Sequence, residues 1–413
     1  MPQVHDLQVG DQLVEAPLDQ APVPAPAKKT ARQMKYRAEA NDRLRALRAR
    51  RRAGLNARAD AVARAMTAYA GLPARPQAFA LRPGLLALSP PRKLPPSAGG
   101  ELYLETEPLS VRRQTERLSR PPATQLIAER SRALPTIVSM LYVAQCEPGR
   151  RGRFENRHAV AKSSGRAPSW ALLCGRYDRN LRTRRERMRR DLTHLGEVGL
   201  VALAEHGQGR YEAFTLNRED NADRRYVVPG VGEGPLLLST SLITNGWHLV
   251  LEPDELALYL LINHLLATVP KKPHEDGVPL TSKTRFTVYG VSSEAYNAIH
   301  ELEEFGLIRT HDPMPHRRRG KVRPPTQAEL DDAAENEQSL APVPYQLELI
   351  PDALERPALE VIDGQLGTYP LPPRVLEFDD ILEAKYASVP LASPLKGSRL
   401  ALSGGAAGPA SAS

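Results

Sequence analysis

The chain has 413 residues with 38 prolines, two cysteines and a formal net charge of +8 at pH 7. This length predicts two or three domains, and the proline content is well above the average share of roughly 5%, which predicts linkers or tails beside them. Two cysteines exclude a disulfide framework and a four-thiolate zinc site. The basic balance favours a polyanion as partner, with nucleic acid first.

The sequence predicts a soluble, intracellular protein with no membrane association. Its first twenty residues lack a cationic start followed by an apolar run, so we expect no secretory signal. The longest apolar stretch, 256–269, is too short to span a bilayer. A cytoplasmic location, associated with a nucleoid or plasmid, is the corresponding expectation.

Residues 1–29 are polar and rich in proline, which predicts disorder. Residues 30–70 are predicted to form a basic helical arm, because 28–66 contain 13 Lys and Arg, three acids and no proline. Apolar residues are too sparse there to predict a face against the core. The arm is therefore a solvated cationic helix, a segment that orders on DNA phosphates, or a surface for RNA or anionic lipid.

Proline and glycine clusters predict linkers at 71–120 and 227–245. The end of the chain, 351–413, is acidic and then of low complexity, which predicts a tail. Two blocks of domain size remain, at 121–226 and 246–350.

The two blocks contain an internal repeat at an offset of 107 residues, between 188–203 and 295–310. In the first copy, Met188, Leu192 and Leu195 define one helix face. Gly199 then supplies a left-handed stop, matched by Gly306 in the second copy. An apolar strand and a hairpin follow. Each block also begins with an apolar helix, whose predicted inward residues are Leu134, Ile137, Val138 and Leu141 in the first block and Leu258, Leu261, Ile262 and Leu265 in the second.

This order of helix, middle segment, helix, glycine stop and hairpin resembles the winged helix-turn-helix family, in two copies over about 200 residues. The best local match is 280–308, with a turn at Gly290 and a third helix capped by Ser292. The resemblance implies a mainly α fold with small β-hairpin wings, hence two winged-helix domains. In the first copy the middle is long and interrupted by Gly and Pro, so its second helix is not defined.

The family's third helix enters the major groove of DNA. With Met188, Leu192 and Leu195 inward, the opposite face of the first copy predicts the DNA contacts. These residues are Thr183, Glu186, Arg187, Arg190 and His194, with Arg182 and Arg189 at the edge. Arginines on such a face bind guanine edges or phosphates.

The corresponding helix of the second copy, 292–305, has four acids and no Lys or Arg, so phosphate repulsion opposes deep insertion. Only Ser293, Tyr296 and Asn297 suit base contact there. Its wing is basic, with Arg317, Arg318, Arg319, Lys321 and Arg323. The second copy therefore contacts DNA through its wing, or forms a homodimer or partner surface.

We expect no catalytic residues, no metal site and no cofactor. The histidines form no metal-binding pair, and no Gly-x-x-x-x-Gly-Lys-Ser/Thr loop is present. The predicted function is sequence-specific binding of double-stranded DNA. By resemblance, bacterial plasmid replication initiation comes first, with replication helicase as a partner, and a transcriptional regulator acting on the transcription machinery is the close alternative. A nucleic-acid scaffold without sequence preference is the hypothesis from another class.

Overall fold

The computed structural model describes residues 31–91, 120–127, 132–164, 167–205, 207, 209–270, 277–311 and 344–368. This part of the chain is mainly helical with small antiparallel sheets, as the sequence predicts. The predictions for the N-terminal segment 1–29, the basic wing (Arg317, Arg318, Arg319, Lys321 and Arg323) and the low-complexity tail lie outside the described residues.

The elements follow one another in two similar units. The chain begins with α1 (Ala31–Ala70), β1 (Phe79–Leu81) and α2 (Pro122–Ile127). The first unit consists of α3 (Ala133–Cys146), α4 (Trp170–Leu173), α5 (Leu181–Glu197), β2 (Val201–Ala202), β3 (Thr215–Arg218) and β4 (Asn221–Arg225). A connection of β5 (Leu236–Leu238), α6 (Ser241–Thr244) and α7 (Trp247–Val250) follows. The second unit consists of α8 (Pro253–Thr268), β6 (Val278–Pro279), α9 (Ser282–Thr287), α10 (Ser293–Tyr296), α11 (Ile299–Glu304), β7 (Ile308–His311) and β8 (Gln346–Leu349), and α12 (Ala358–Leu366) comes last.

The third helices of the two units end in the same way, at the predicted glycines. Gly199 has φ 84° and Gly306 has φ 70°, values that a residue with a Cβ adopts only under strain. Leu200 N donates to Leu195 O, and Leu307 N donates to Leu302 O, both at 2.9 Å. Each bond satisfies one of the carbonyls left free at the end of its helix. The 107-residue repeat is therefore present in the backbone as well as in the sequence.

The first helices of the two units lie at the centre of the molecule. All eight predicted inward residues of α3 and α8 are at most 2% exposed. Every residue of α3 is buried, because α5, α7, α8, α2 and β1 surround it. Such a helix has no solvent face, which agrees with its apolar composition on all sides.

Each unit has a small antiparallel sheet beside its third helix. In the first, the order is β2-β3-β4, with Val201 opposite Leu216. In the second, the order is β6-β8-β7, with Ile308 opposite Leu349. In both, the strand after the glycine pairs with the strand that returns from a loop, as the hairpin prediction requires.

Parts of both predicted linkers are ordered and buried. Phe79 pairs with Leu238 across the β1–β5 ladder, and both side chains face the core. Arg82 is 2% exposed, with Nη1 2.8 Å from Glu219 Oε2 and Nε 2.9 Å from Glu233 Oε2. The linker interpretation is wrong at these residues. It was based on proline and glycine content, and the few apolar residues in these segments pack against partners that lie far away in the sequence.

Helix α1 is not a free arm over its C-terminal half, which corrects the sequence interpretation. Leu55, Val62, Ala65 and Tyr69 are at most 2% exposed and belong to the core. These residues are widely spaced, but small alanines between them let α4, α6 and α7 approach closely. The apolar residues were therefore sufficient for a core face, although the sequence suggested that they were too few.

Four arginines of α1 bind carboxylates of the body. The pairs are Arg48–Glu304 at 2.5 Å, Arg51–Glu255 at 2.6 Å, Arg52–Asp363 at 2.7 Å and Arg58–Glu252 at 3.4 Å. The first two join α1 to the second unit, and the third joins it to α12, inside the segment predicted to be a tail. These charges are neutralised within the protein, so they are not available to phosphates.

A buried histidine lies where α1, α3 and α7 meet. His248 is fully buried, with Nδ1 3.2 Å from Leu242 O and Nε2 3.1 Å from Ser139 Oγ and 3.2 Å from Tyr69 Oη. Burial lowers the pKa of His248 to about 3. The unfolded chain takes up a proton on this histidine around pH 6.5. In the folded protein the imidazole is still neutral at that pH.

We expect His248 to reduce stability as the pH falls. Below the unfolded-state pKa of about 6.5, the unfolded chain binds a proton at His248 that the folded chain does not. The contribution of the neutral imidazole to the free energy of unfolding is therefore lost as the pH falls from 6.5 towards 3. Between pH 7 and pH 5 this costs about 2 kcal/mol. Both tryptophans, Trp170 and Trp247, are fully buried, so urea unfolding followed by tryptophan fluorescence measures the effect.

The control for this prediction is His248→Gln, compared with the natural protein at the same two pH values. Burial raises the pKa of Glu255 to about 7, against the effect of Arg51. Glu255 therefore stabilises the fold most below its unfolded pKa of about 4.5, and its contribution is lost as the pH rises towards 7, opposite to His248. Glu255 is present in both proteins, so the difference between them isolates the histidine. An equal loss of stability in both would contradict the prediction.

Candidate nucleic-acid interface

Helix α5 begins where an asparagine caps it. The Asn180 side chain accepts hydrogen bonds from Arg182 N at 2.9 Å and Thr183 N at 3.4 Å. Asp178 in turn accepts from Asn180 N at 2.9 Å. Asparagine is among the best N-cap residues, because its side-chain oxygen replaces the missing helical acceptor. The start of the arginine-rich helix is therefore determined locally.

The inward face of α5 contains both apolar and polar residues. Met188, Leu192 and Leu195 are fully buried, as predicted. Asp191 is also buried, and both its oxygens accept from Arg176 at 2.8 Å. This pair fixes the rotation of the helix against the residues that precede it.

The placement of His194 on the DNA-facing side is wrong. His194 is 7% exposed and counts among the buried side chains of α5. The sequence argument assigned only apolar residues to the core, and the burial of Asp191 and His194 moves the buried arc toward them. The exposed arc moves by the same angle, towards Arg182, Glu186 and Arg189.

The outward face of α5 retains most of the predicted side chains. Arg182, Glu186, Arg189 and Arg190 are exposed, and Thr183 is half-buried. Arg182 Nε lies 2.8 Å from Glu186 Oε1. Arg187 lies at the edge of this face, with Nη2 3.4 Å from Asp178 Oδ2. Arg190 makes no ion pair with any residue that the structure describes.

The loop between β2 and β3 extends this face through a tyrosine. Tyr211 Oη lies 3.1 Å from Thr193 Oγ1 on α5. The guanidinium carbon of Arg189 lies 5.4 Å from the centre of its ring, and that of Arg210 lies 5.5 Å away. The helix and the loop therefore present one continuous basic surface.

Sequence reasoning missed Arg185, Arg210 and Tyr211. Arg185 is exposed on α5, three residues after Arg182 and four before Arg189. Helical spacing would have found it if the buried arc had been placed correctly. No signal in the sequence placed the loop residues Arg210 and Tyr211 beside the helix, because that contact is tertiary.

The third helix of the second unit is broken into two short pieces. Ser292 Oγ accepts from Ala295 N at 3.2 Å, which confirms the predicted cap. Ser293 is the first residue of α10, Tyr296 is half-buried and Asn297 is exposed. The guanidinium of Arg285, on α9, lies 4.9 Å from the centre of the Tyr296 ring. The turn before α10 is also as predicted, since Gly290 has φ 63°.

Two acids of this helix, Glu303 and Glu304, bind groups within the protein. Glu304 pairs with Arg48 of α1, and both side chains are nearly buried. Arg51 lies 5.0 Å from the centre of the Phe305 ring. Glu303 accepts from Thr310 N at 2.9 Å. The C-terminal half of the helix is thus covered by α1, a partner within the same chain that the sequence did not indicate.

Among the described residues, no group of three His, Cys, Asp or Glu side chains is placed to bind a metal ion. None of the helices in that part of the chain has both the length and the apolar character needed to cross a bilayer. Comparison of the chain with protein-family models, with curated proteins and with solved structures finds no match.

Proposed function

We propose that this protein binds double-stranded DNA sequence-specifically, with the outward face of α5 in the major groove. The observation that carries the proposal is the exposure of Arg182, Arg185, Arg189 and Arg190 on one helix whose opposite face is buried in the core. Six arginines within 182–190 would repel one another unless anions or acids neutralise them. Of the nearby acids, Glu186 and Asp178 pair with only Arg182 and Arg187.

The arrangement of the second unit supports two winged-helix domains as the finer fold. Its order is helix, strand, three further helical segments and two strands, with β8 between β6 and β7. This order resembles the winged helix-turn-helix family. The first unit shares the glycine stop and the strand pair, and its second helix, α4, has only four residues. The long, interrupted middle of that unit explains the difference.

Within this class we propose plasmid replication initiation first and transcriptional regulation second. Two unequal copies, one with a basic third helix and one with an acidic third helix, resemble replication initiators. This step rests on resemblance alone. Replication helicase or the transcription machinery would be the corresponding protein partner. The protein would act by binding, without catalysing a reaction, from a cytoplasmic, DNA-associated location.

The nonspecific scaffold is the alternative proposal from another class, and it would use α1 as a basic surface. Four arginines of that helix, Arg48, Arg51, Arg52 and Arg58, bind carboxylates, so a scaffold would have to use its exposed arginines instead. A homodimer through the second unit would have to use other surface than the C-terminal half of its third helix, because α1 covers it. The basic wing of that unit remains a proposed contact with DNA.

Selection of bound fragments from the source genome tests the proposed function. We expect a recurring site that the protein prefers over random duplex by ~10³-fold or more in competition binding. Repeated sites at one origin would identify an initiator, and sites at promoters would identify a regulator. Equal affinity for all sequences would contradict specific binding and would favour the hypothesis of a scaffold without sequence preference.

A further inference from the structure

Seven of the arginines that the structure describes on α1 fall into two sets on different sides of the helix. The inward set, described above, binds carboxylates of the body. The outward set consists of Arg43, Arg50 and Arg64, all exposed. Positions 43, 50, 57 and 64 are seven residues apart, close to two helical turns, so they share one face. Arg43 and Arg50 make no ion pair with any described residue, whereas Arg64 Nε lies 3.0 Å from Asp60 Oδ2.

Helix α1, which carries the outward stripe of Arg43, Arg50 and Arg64, contacts the third helix of the second unit and lies next to that of the first unit. At one end, the ring of Tyr177 lies 4.8 Å from the guanidinium carbon of Arg64 and 4.1 Å from that of Arg184 on α5. At the other end, Arg48 pairs with Glu304 of α11. The 16 residues between Arg48 and Arg64 rise about 24 Å at 1.5 Å per residue. Helix α1 therefore runs from the end of the second unit's third helix to Tyr177, just before the helix that carries the proposed DNA-binding face.

We propose that the outward stripe of α1 binds the phosphate backbone of DNA that continues from α5 towards the second unit. The inference rests on the proposed function and extends the contact beyond the bases that α5 meets. The stripe spans about 31 Å, close to the roughly 34 Å of one turn of B-DNA. Arginine binds phosphate oxygens in the bidentate geometry that such a track needs.

The composition of the stripe favours DNA over an acidic protein as its occupant. Between the arginines lie Ala46, Ala53 and Ala57, all exposed and all small, and Leu47, which is 59% exposed, is the single large apolar side chain beside them in the described part of the helix. A stable protein interface needs a desolvated core with large apolar or aromatic anchors, which these alanines do not supply. Two described acids, Asp42 and Asp60, lie beside the stripe, and they oppose phosphate binding next to Arg43 and Arg64.

The test compares the natural protein with one double variant that carries both Arg43→Ala and Arg50→Ala. The probes are two duplexes with the selected site, one trimmed to the site itself and one extended by a helical turn on each side. On the extended duplex we expect the dependence of log affinity on log salt to fall by about 2, one per lost phosphate contact. We also expect the hydroxyl-radical footprint to shorten on one side only. On the trimmed duplex the two proteins should bind alike.

Two further variants make the outcome decisive. Arg75→Ala with Arg356→Ala removes the same charge from exposed positions outside α1 and should leave the footprint unchanged. Asp60→Asn should steepen the salt dependence by up to about 1, because Arg64 is released to phosphate. An unchanged footprint for the Arg43 and Arg50 variant would overturn this inference, leave α5 as the DNA site and make the stripe a surface for an acidic protein. Absence of any preferred site in the natural protein would overturn the proposed function itself.

Discussion

Replacing Arg51 with methionine is expected to lower the free energy of unfolding by about 3–5 kcal/mol, the largest effect on stability that we predict. Arg51 donates to both oxygens of Glu255, at 2.6 and 2.7 Å, and the Glu255 side chain is 3% exposed. Above the pKa of about 7 that Glu255 has beside Arg51, removing the guanidinium leaves a buried carboxylate without its counter-charge. Urea unfolding followed by the fluorescence of the two buried tryptophans measures the loss.

The matched control is Arg50→Met, an exposed neighbour on the same helix without an ion pair to the described residues. We expect its effect to stay within about 0.5 kcal/mol. Adding Glu255→Gln to Arg51→Met should restore much of the stability, because the buried group is then neutral. If Arg51→Met and Arg50→Met were equally mild, α1 would not be anchored to the second unit in the way described.

Replacing Arg189 and Arg190 together with alanine is expected to weaken binding to the selected DNA site by about 2–6 kcal/mol, which is 30-fold or more. Both side chains are exposed on the outward face of α5, and each good bidentate contact with a guanine contributes about 1–3 kcal/mol. Affinity for random duplex should fall much less, so the ratio between cognate and random DNA also falls. Fluorescence anisotropy at fixed salt measures both.

Arg187→Ala provides the internal comparison, because Arg187 lies at the edge of the face beside Asp178. We expect it to change the cognate affinity much less than the double variant does. The fold should be unaffected in both, since none of these three side chains is buried. Unchanged cognate affinity in the Arg189 and Arg190 variant would show that α5 does not contact bases, even if the protein binds DNA by another surface.

Much of the fold could be predicted because its signals are local. The helical spacing of Met188, Leu192 and Leu195 placed them on the core-facing side of α5. The glycines that end both third helices need a backbone conformation that few other residues adopt. The cap at Ser292 and the hairpin after each glycine follow from the same kind of short-range rule. These features hold without knowledge of any distant contact.

The candidate site was predictable only in part, because polar burial depends on partners elsewhere in the chain. His194 is a polar residue of the kind expected at the surface, but it is buried. Tyr211 belongs to the proposed DNA-facing surface because it contacts Thr193. No local pattern distinguishes an arginine that meets a carboxylate 204 residues away, as Arg51 does, from one that meets solvent.

The amino-acid sequence alone establishes the repeat, the helical class, the caps and the concentration of positive charge in α1 and α5. These depend on backbone conformations and on helix periodicity, which act over a few residues. The division of that charge between fold and ligand follows from the three-dimensional packing. Arg48, Arg51, Arg52 and Arg58 stabilise the body because the fold brings Glu304, Glu255, Asp363 and Glu252 to them. The arginines left exposed on α1 and α5 define the surface that we propose for DNA, because Coulomb attraction falls with distance and only the folded chain sets those distances.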